Sequence, residues 1–214
     1  VYEYSVDDYS RSMLYQNNEG LDFQDRSPDK RWLALSKTNT TSDSDVYLYD
    51  LVSEELTLIA DGAAEAENHS PAFSPDGASF YMTSDEGREF DELVRYDLAT
   101  GEREALVSPD WDVWYGYPTH KGKYLVVGIN NDGRTEVRLY EAETMERVAL
   151  PEVPSADVTS VRVSRDEQTL AFYASSSRSP GDLYVQEIGG EPRQLTSSLS
   201  PNIDPEHLVD GEVV

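Results

Sequence analysis

The sequence contains no cysteine among its 214 residues. Disulfides, a thiol nucleophile and a thiolate metal site are therefore excluded, which fits a reducing interior, and we expect a cytoplasmic protein. No apolar run approaches the ~20 residues of a membrane span, so no membrane partner is expected. Basic residues are scarce, with 17 Lys and Arg against 42 Asp and Glu. The resulting net charge of −25 repels phosphate, so we expect no nucleic-acid partner.

The acidic residues are spread along the whole chain, as the pairs Asp7-Asp8 and Glu54-Glu55 illustrate. They indicate a charged surface distributed over a fold, because an acidic tail would form one run. Self-repulsion of this size destabilises a compact state at low salt, whereas molar salt shortens the Debye length to about 3 Å. Scarce Lys with excess acid resembles proteins of salt-loving organisms, so we expect a halophilic, haloarchaeal protein. An ordinary acidic protein is the alternative.

Four similar segments follow one another at spacings of 47, 45 and 45 residues. Each begins with a tight-turn sequence; in the form Ser-Pro-Asp-Gly, Pro presets φ, Asp bonds nearby backbone and Gly permits positive φ. An apolar stretch, a variable polar loop and two further hydrophobic strands come next, and another short strand precedes each turn. The four turn sequences are Ser27-Pro28-Asp29-Lys30, Ser74-Pro75-Asp76-Gly77, Thr119-His120-Lys121-Gly122 and Ser164-Arg165-Asp166-Glu167.

Each repeat predicts four short strands, rich in Val, Tyr, Leu and Phe and bounded by Gly, Pro, Asp and Ser. Four antiparallel strands in about 45 residues are typical of a β-propeller blade, whereas a helical solenoid needs a 3.6-residue period that is not visible. We therefore predict an all-β chain, a β-propeller fragment of four-stranded antiparallel blades within residues 1–197. The predicted blades are 18–62, 63–109, 110–153 and 154–197, followed by a tail, 198–214.

The first segment, 1–17, matches the second half of a repeat. Val1–Val6 matches the pattern of Val46–Leu51, and Arg11–Gln16 matches Glu55–Ile59. We therefore predict the outer half of a further blade in front of the four whole blades, with its inner strands upstream of the sequence. A degenerate first repeat in a complete small propeller is the alternative.

The turn segment Phe73–Gly77, FSPDG, resembles the PD-type repeats of TolB-like propellers. More closely, the chain resembles the N-terminal β-propeller of prolyl oligopeptidase family serine peptidases, especially acylaminoacyl-peptidase-like members. The stretches that carry this resemblance are Leu14–Gln16 with Asn18–Asp22, Ser27–Ser36, Tyr96–Arg103 and Pro192–Pro205.

The resemblance implies a C-terminal α/β-hydrolase domain whose Ser-Asp-His triad cleaves small peptides, with the propeller capping the active site. The tail 198–214 would lead into that domain. None of the triad can be placed on this chain, and the nucleophile motif G-x-S-x-G is absent from it. We therefore expect a non-catalytic propeller portion that gates access of small peptides, with no catalytic or cofactor-binding residue and with oligomerisation open. A stand-alone TolB-like binding propeller is the alternative.

Because successive strands of a blade alternate in direction, the loops that follow its second and its fourth strand are predicted to lie on the same face of the propeller. The hydrolase domain is expected on this face, where Arg88, Arg134 and Arg178 would meet a peptide carboxylate or an acidic partner surface. Trp111 and Trp114 lie at or next to it and would anchor an interface. Solvated loop charges and structural tryptophans are the alternative. The loops include Thr38–Ser44, Ala60–Asn68, Ser84–Asp91, Ser108–Asp112, Asn130–Thr135 and Ser175–Gly181.

Three further patterns have a chemical interpretation that the repeat disfavours. Ser27–Lys30 matches the S-x-x-K nucleophile motif, but the same position reads Ser-Pro-Asp-Gly in the next repeat, which favours a turn. Asp43–Asp45 and Asn130–Gly133 resemble parts of calcium loops but lack the acidic ligand of position 12, so no metal is expected. Neither catalysis nor zinc binding is expected of the histidines, which share no repeat position: His69, His120 and His207.

Raising the salt concentration is expected to raise the melting temperature of this chain by several degrees, because mobile ions screen the repulsion among its carboxylates. Circular-dichroism melts in NaCl between ~0.05 M and ~2 M measure the effect. A sucrose series is the control, since sucrose stabilises by exclusion and does not screen charge. A melting temperature that does not rise with NaCl would contradict the halophile hypothesis.

Overall fold

The structure is a computed structural model, and it describes residues 1–60, 66–150 and 157–209. These residues form eighteen β-strands and one short 3-10 helix, Pro205–His207. No helix in the described ranges is long and apolar enough to cross a membrane. The predicted blade boundaries at 62–63 and 153–154, and the last five residues of the predicted tail, 210–214, lie outside these ranges.

The strands are short, as the spacing of the turn residues predicts. In the first half of the chain their bounds are β1 Tyr2–Tyr4, β2 Arg11–Met13, β3 Asp22–Arg26, β4 Trp32–Thr40, β5 Asp43–Asp50, β6 Glu55–Ala60, β7 Asn68–Phe73, β8 Ser79–Ser84, β9 Glu92–Asp97 and β10 Arg103–Val107. In the second half they are β11 Val113–Pro118, β12 Tyr124–Asn131, β13 Arg134–Glu141, β14 Arg147–Val148, β15 Asp157–Val163, β16 Thr169–Ser176, β17 Ser179–Glu187 and β18 Arg193–Gln194.

The strands pair in chain order into one two-stranded and four four-stranded antiparallel sheets. β1 pairs with β2, and the larger sheets are β3–β6, β7–β10, β11–β14 and β15–β18. The ladders are regular where both strands are long: β12 and β13 pair without interruption from Tyr124 opposite Glu141 to Asn131 opposite Arg134. The prediction of an all-β propeller fragment, with four whole blades and the outer half of another, is confirmed.

The second strand of each four-stranded sheet carries much of its buried apolar surface. In β12 the six residues Tyr124–Ile129 are all buried, and in β8 the five residues Phe80–Ser84 are. A strand that is covered on both faces shows a continuous apolar run, whereas β5 alternates between buried and half-buried residues along its length. The apolar stretch after each turn sequence is therefore the core strand of its blade.

The chain divides into two compact units, Val1–Gly116 and Tyr117–Val214. In the first unit one core cluster joins the sheets β3–β6 and β7–β10 around Phe80, whose ring centroid lies 5.6 Å from that of Phe73. A second cluster joins residues that follow the half blade to the sheet β3–β6, and there the rings of Tyr15 and Tyr49 are 4.6 Å apart. Burial of such aromatic pairs is a main source of stability between sheets.

The Ser-Pro-Asp turns share one hydrogen-bond arrangement. Ser74 donates its hydroxyl to Asp76 Oδ1 (2.5 Å) and accepts the N–H of Ser79 (2.9 Å), while Gly77 takes a positive φ of 71°. The same bonds recur in the turns that begin at Ser27 and Ser164. The Ser27 hydroxyl is thus buried in a turn, in agreement with the turn interpretation of the S-x-x-K pattern.

The third turn obtains its carboxylate from the next repeat. Lys121 stands where the other turns have Asp, and Glu167, from the fourth turn, takes over its contacts. Glu167 Oε1 accepts the hydroxyl of Thr119 (2.5 Å) and the N–H of Lys121 (2.7 Å). Burial raises the pKa of Glu167, but these hydrogen bonds outweigh it and keep the pKa below its usual value. A buried, 2 % exposed carboxylate therefore joins two consecutive blades.

Replacement of Glu167 by Ala is expected to lower the free energy of unfolding by about 2–3 kcal/mol, because it leaves the Thr119 hydroxyl and the Lys121 N–H without their acceptor. Urea denaturation followed by circular dichroism measures the change. Glu143→Ala, at an exposed site in the same unit, is the matched control and should stay within about 0.5 kcal/mol of the wild type.

A double variant distinguishes this role from simple loss of side-chain volume. Lys121→Asp restores the local carboxylate of the other turns, so it should recover about half of the stability lost in Glu167→Ala. Equal or greater loss in the double variant would show that the carboxylate at this turn does not carry the effect.

Candidate functional site

Three acidic residues of the first unit lie around one cavity, and each directly precedes a strand. Glu67 precedes β7, Asp91 precedes β9 and Asp112 precedes β11. The last two are hydrogen-bonded: the N–H of Val113 donates to the Asp91 carbonyl (3.1 Å), and the N–H of Asp91 donates to Asp112 Oδ1 (3.2 Å). The starts of the first and third strands of consecutive blades therefore meet at one edge.

The same joint recurs at other blades with different side chains. Between β5 and β7, the Ser44 hydroxyl accepts the N–H of Asn68 (2.8 Å) and donates to its carbonyl (2.9 Å). In the second unit Asp157 accepts the N–H of Thr135 at 3.3 Å. Because these contacts satisfy buried backbone groups, the carboxylate of Asp112 has a structural role at its joint.

The loop before β9 adds a further carboxylate. Asp85 accepts the N–H of Glu67 at 2.7 Å, and its own N–H donates to the Glu67 carbonyl at 3.3 Å. These bonds fix the backbone of Glu67, which lines the same cavity as Asp91.

These residues surround an open polar cavity of about 420 Å³. His69 Nε2 lies 3.4 Å from Glu67 Oε2, and Trp114 is 52 % exposed. Among the residues the structure describes, no group of three or more His, Asp or Glu side chains is arranged to hold a metal ion. We call the cavity the acidic pocket, and its lining is Gln24, Glu67, His69, Asp91, Asp112 and Trp114.

Asp91 is the unusual residue of the acidic pocket. It is 7 % exposed, and its buried Oδ1 has no hydrogen-bond partner in the described part of the chain. Burial, and after it the neighbouring carboxylates of Asp85, Asp112 and Glu67, together raise the pKa of this carboxyl to about 7. A carboxyl group that is half ionised near neutral pH, buried and unpaired is a common feature of functional sites.

Three of the residues singled out from the sequence lie around this pocket. Arg88 donates to the carbonyls of Phe90 (3.3 Å) and Pro109 (3.2 Å) and lies 3.3 Å from Glu92 Oε2. The ring of Trp111 packs against Phe90 with centroids 5.9 Å apart. Trp114 lines the pocket itself. The arginine therefore joins neighbouring loops rather than pointing an unpaired charge to solvent, and the partner-facing role of all three stays a prediction.

The other two arginines belong to the second unit. Arg178 precedes β17 and donates to the carbonyl of Pro205 at 3.0 Å. Asp182, in the same strand, accepts the N–H of Ser198 at 2.8 Å. These contacts hold the segment after β18 against the start of β17. Arg134 begins β13 and is exposed. Their partner-facing role also stays a prediction.

Sequence reasoning missed the acidic residues of the pocket. His69 was considered, but only with the other histidines, and Glu67, Asp91 and Asp112 were not singled out. A signal was present: Asp91 and Asp112 are the last residues of loops assigned to one face, and Glu67 is the last but one of a third such loop. The pattern is easily overlooked in a chain with 42 acidic residues, since most of them are surface charges.

Comparison with known proteins places this fold in a family. The family model for the N-terminal β-propeller domain of prolyl oligopeptidase matches residues 14–198, which is most of the chain. The chain belongs to this propeller family. The match covers all four whole blades and therefore confirms the resemblance found in the sequence.

Solved structures show the same fold for this prolyl oligopeptidase propeller. A puromycin hydrolase is 16% identical and superposes with a TM-score of 0.76 over 94% of this chain and 32% of its own. A structure from a study of two prolyl endopeptidases is 20% identical, with a TM-score of 0.70 over 87% of this chain and 27% of its own. TolB from Acinetobacter baumannii is 20% identical, with a TM-score of 0.63 over 92% of this chain and 48% of its own.

One curated relative carries an unrelated name. A tRNA-dihydrouridine(47) synthase of Aspergillus fumigatus is 27% identical over 164 residues, which are 71% of this chain. The matched segment is only 22% of that protein's length. The likeness therefore concerns one part of the relative and says nothing about the activity of this chain.

Replacement of Asp91 by Asn is expected to stabilise the fold, and more so at higher pH. The folded chain holds the Asp91 proton up to about pH 7, whereas the ordinary value is 3.8, so stability is lost as pH rises between these values. The gain from Asp91→Asn should be near zero at about pH 4 and reach about 1–2 kcal/mol above pH 7. Urea denaturation across this pH range measures it.

The matched control is Glu89→Gln, which removes one charge from an exposed position of the same loop. It should give no comparable pH-dependent gain. If the two variants gained equally, the effect would come from net charge and not from the buried position of Asp91.

Proposed function

We propose that this chain is the non-catalytic propeller portion of a serine-type peptidase, which caps an α/β-hydrolase domain and gates the access of small peptides to it. The observation that carries the proposal is the family match over residues 14–198. Similarity to a puromycin hydrolase and to prolyl endopeptidases supports the fold on which it rests. The whole protein would act in the cytoplasm, since the sequence contains no cysteine.

The path of the chain after the last blade supports a following domain at the end of the blades where their first and third strands begin. After β18, the N–H of Ser198 donates a hydrogen bond to the Asp182 carboxylate. The carbonyl of Pro205 accepts a hydrogen bond from Arg178. The chain is thereby led back to the start of β17, which is the same end of a blade at which the first unit carries the acidic pocket. A domain that follows this segment would begin at that end of the fourth blade.

The loops at this end have the composition of a surface for polar ligands. In the first unit they present carboxylates, an arginine bound to neighbouring loops and two half-exposed tryptophans, Trp111 and Trp114. Exposed aromatic residues among polar groups are enriched where proteins bind other molecules. A cap with such a lining would contact peptides on their way to a catalytic site.

A stand-alone binding propeller is the second candidate. It is supported by the likeness to TolB, which covers 92% of this chain. The two candidates differ in one respect that can be measured: only the first requires serine-peptidase activity in the product of the whole gene.

The test is to express the whole gene and to assay N-acetyl-alanine p-nitroanilide and a short peptide. We expect hydrolysis that phenylmethylsulfonyl fluoride abolishes, because this reagent acylates an activated serine. The 214-residue chain alone should show no turnover. A short unstructured peptide should be cleaved when it is free, and the same sequence within a folded protein should not.

The comparison of the free peptide with the folded protein tests gating separately from the presence of peptidase activity. If the folded protein were cleaved as fast as the free peptide, the capping role would be wrong. Hydrolysis by the isolated 214-residue chain, or a whole gene product without serine-dependent hydrolysis, would overturn the peptidase proposal and favour the binding propeller.

A further inference from the structure

We propose that the acidic pocket binds the guanidinium or ammonium group of a basic side chain and that Asp91 is the carboxylate that receives it. The inference rests on the proposed function only for the source of the ligand, an Arg or Lys residue of a small peptide. The pocket and its chemistry are features of the chain itself.

The argument begins with the carboxylates that already have a structural task. Asp112 accepts the N–H of Asp91, and Asp85 accepts the N–H of Glu67. Glu67 faces His69 at 3.4 Å. Asp91 has no comparable partner: its Oδ1 is buried and receives no hydrogen bond from the described residues. Buried polar atoms are nearly always paired, and Asp91 lines the cavity, so its unpaired carboxylate points to a ligand that donates to it.

The charge of the pocket selects a cation. Three of the six lining side chains are carboxylates, and the described lining contains neither Lys nor Arg. A cation bound at Asp91 would supply the missing donor and cancel the repulsion from Glu67 and Asp112. Since no metal-binding arrangement exists among the described residues, the favoured cation is organic and binds through N–H groups.

The shape of the pocket favours a charged group on a flexible stem. Asp91 is nine-tenths buried and Trp114 is half exposed, so the tryptophan is the more accessible of these two lining residues. Methylene groups pack well on an aromatic face, and a cation near the indole gains a further attraction. A volume of about 420 Å³ admits an Arg or Lys side chain. An α-ammonium group carries its substituents directly beside the nitrogen and reaches a recessed carboxylate less well.

Isothermal titration calorimetry of the 214-residue chain at constant ionic strength tests the inference with four probes. Nα-acetyl-arginine amide and Nα-acetyl-lysine amide carry the basic side chain without a free α-amine. Nα-acetyl-citrulline amide has nearly the shape of the arginine probe but no charge, and alanine amide has only the α-ammonium. We expect the two basic probes to bind at least tenfold more tightly than citrulline and alanine amides.

Asp91→Asn is expected to weaken binding of the arginine probe at least tenfold, while Glu89→Gln should change it less than twofold. The Asn variant should also melt at a higher temperature than the wild type, which a residue needed only for folding would not show. Glu67→Gln is a second variant with a partly exposed side chain, and it should weaken binding about threefold. Trp114→Phe should remove the fluorescence change that accompanies binding.

The outcomes separate this inference from the proposed function. Equal binding of the arginine and citrulline probes, or unchanged binding by Asp91→Asn, would overturn it. Alanine amide binding as tightly as the basic probes would overturn the choice of a side chain as ligand. Absence of serine-peptidase activity in the whole gene product would refute the proposed function, yet it would leave the binding measurements on this chain valid.

Discussion

Strands that start and stop every few residues leave backbone N–H groups without partners at each end, and buried groups of this kind must be satisfied. In this chain carboxylates satisfy many of them. Asp76 does so inside a turn, Asp25 accepts the N–H of Phe73 between β3 and β7, and Glu167 does so between two turns. Part of the net charge of −25 is therefore structural, because it holds the ends of the blades together.

The fold was predictable because the signal repeats. A turn residue that needs positive φ, a carboxylate two residues after a serine and an apolar run recur at nearly equal spacing, and each blade confirms the next. The exceptions were not predictable. Lys121 breaks the turn pattern, and nothing local indicates that Glu167, in the following repeat, replaces the missing carboxylate. Such a substitution depends on two turns lying close in space, which a sequence pattern does not report.

The candidate site was predicted only in part for the same reason. The face and the tryptophans follow from strand direction, so Trp111 and Trp114 could be named in advance. The sequence indicated that the arginines are cations in these loops, but it did not indicate their hydrogen bonds. The bond from Arg88 to the Pro109 carbonyl, for example, joins two different loops. Asp91 is distinguished by the combination of a buried side chain and an Oδ1 without a donor, and both are properties of the folded chain.

Asp91 differs from the other buried carboxylates in its effect on stability. Other buried carboxylates of the described chain, such as Asp182 and Glu167, lower the free energy of the fold by accepting N–H groups. Asp91 raises it, because its charge is buried beside Asp85, Asp112 and Glu67. Asn would fit the same position and carry a donor of its own, so the acidic side chain is the less stable choice. A local cost to stability is characteristic of functional sites, and a cationic ligand would remove this one on binding.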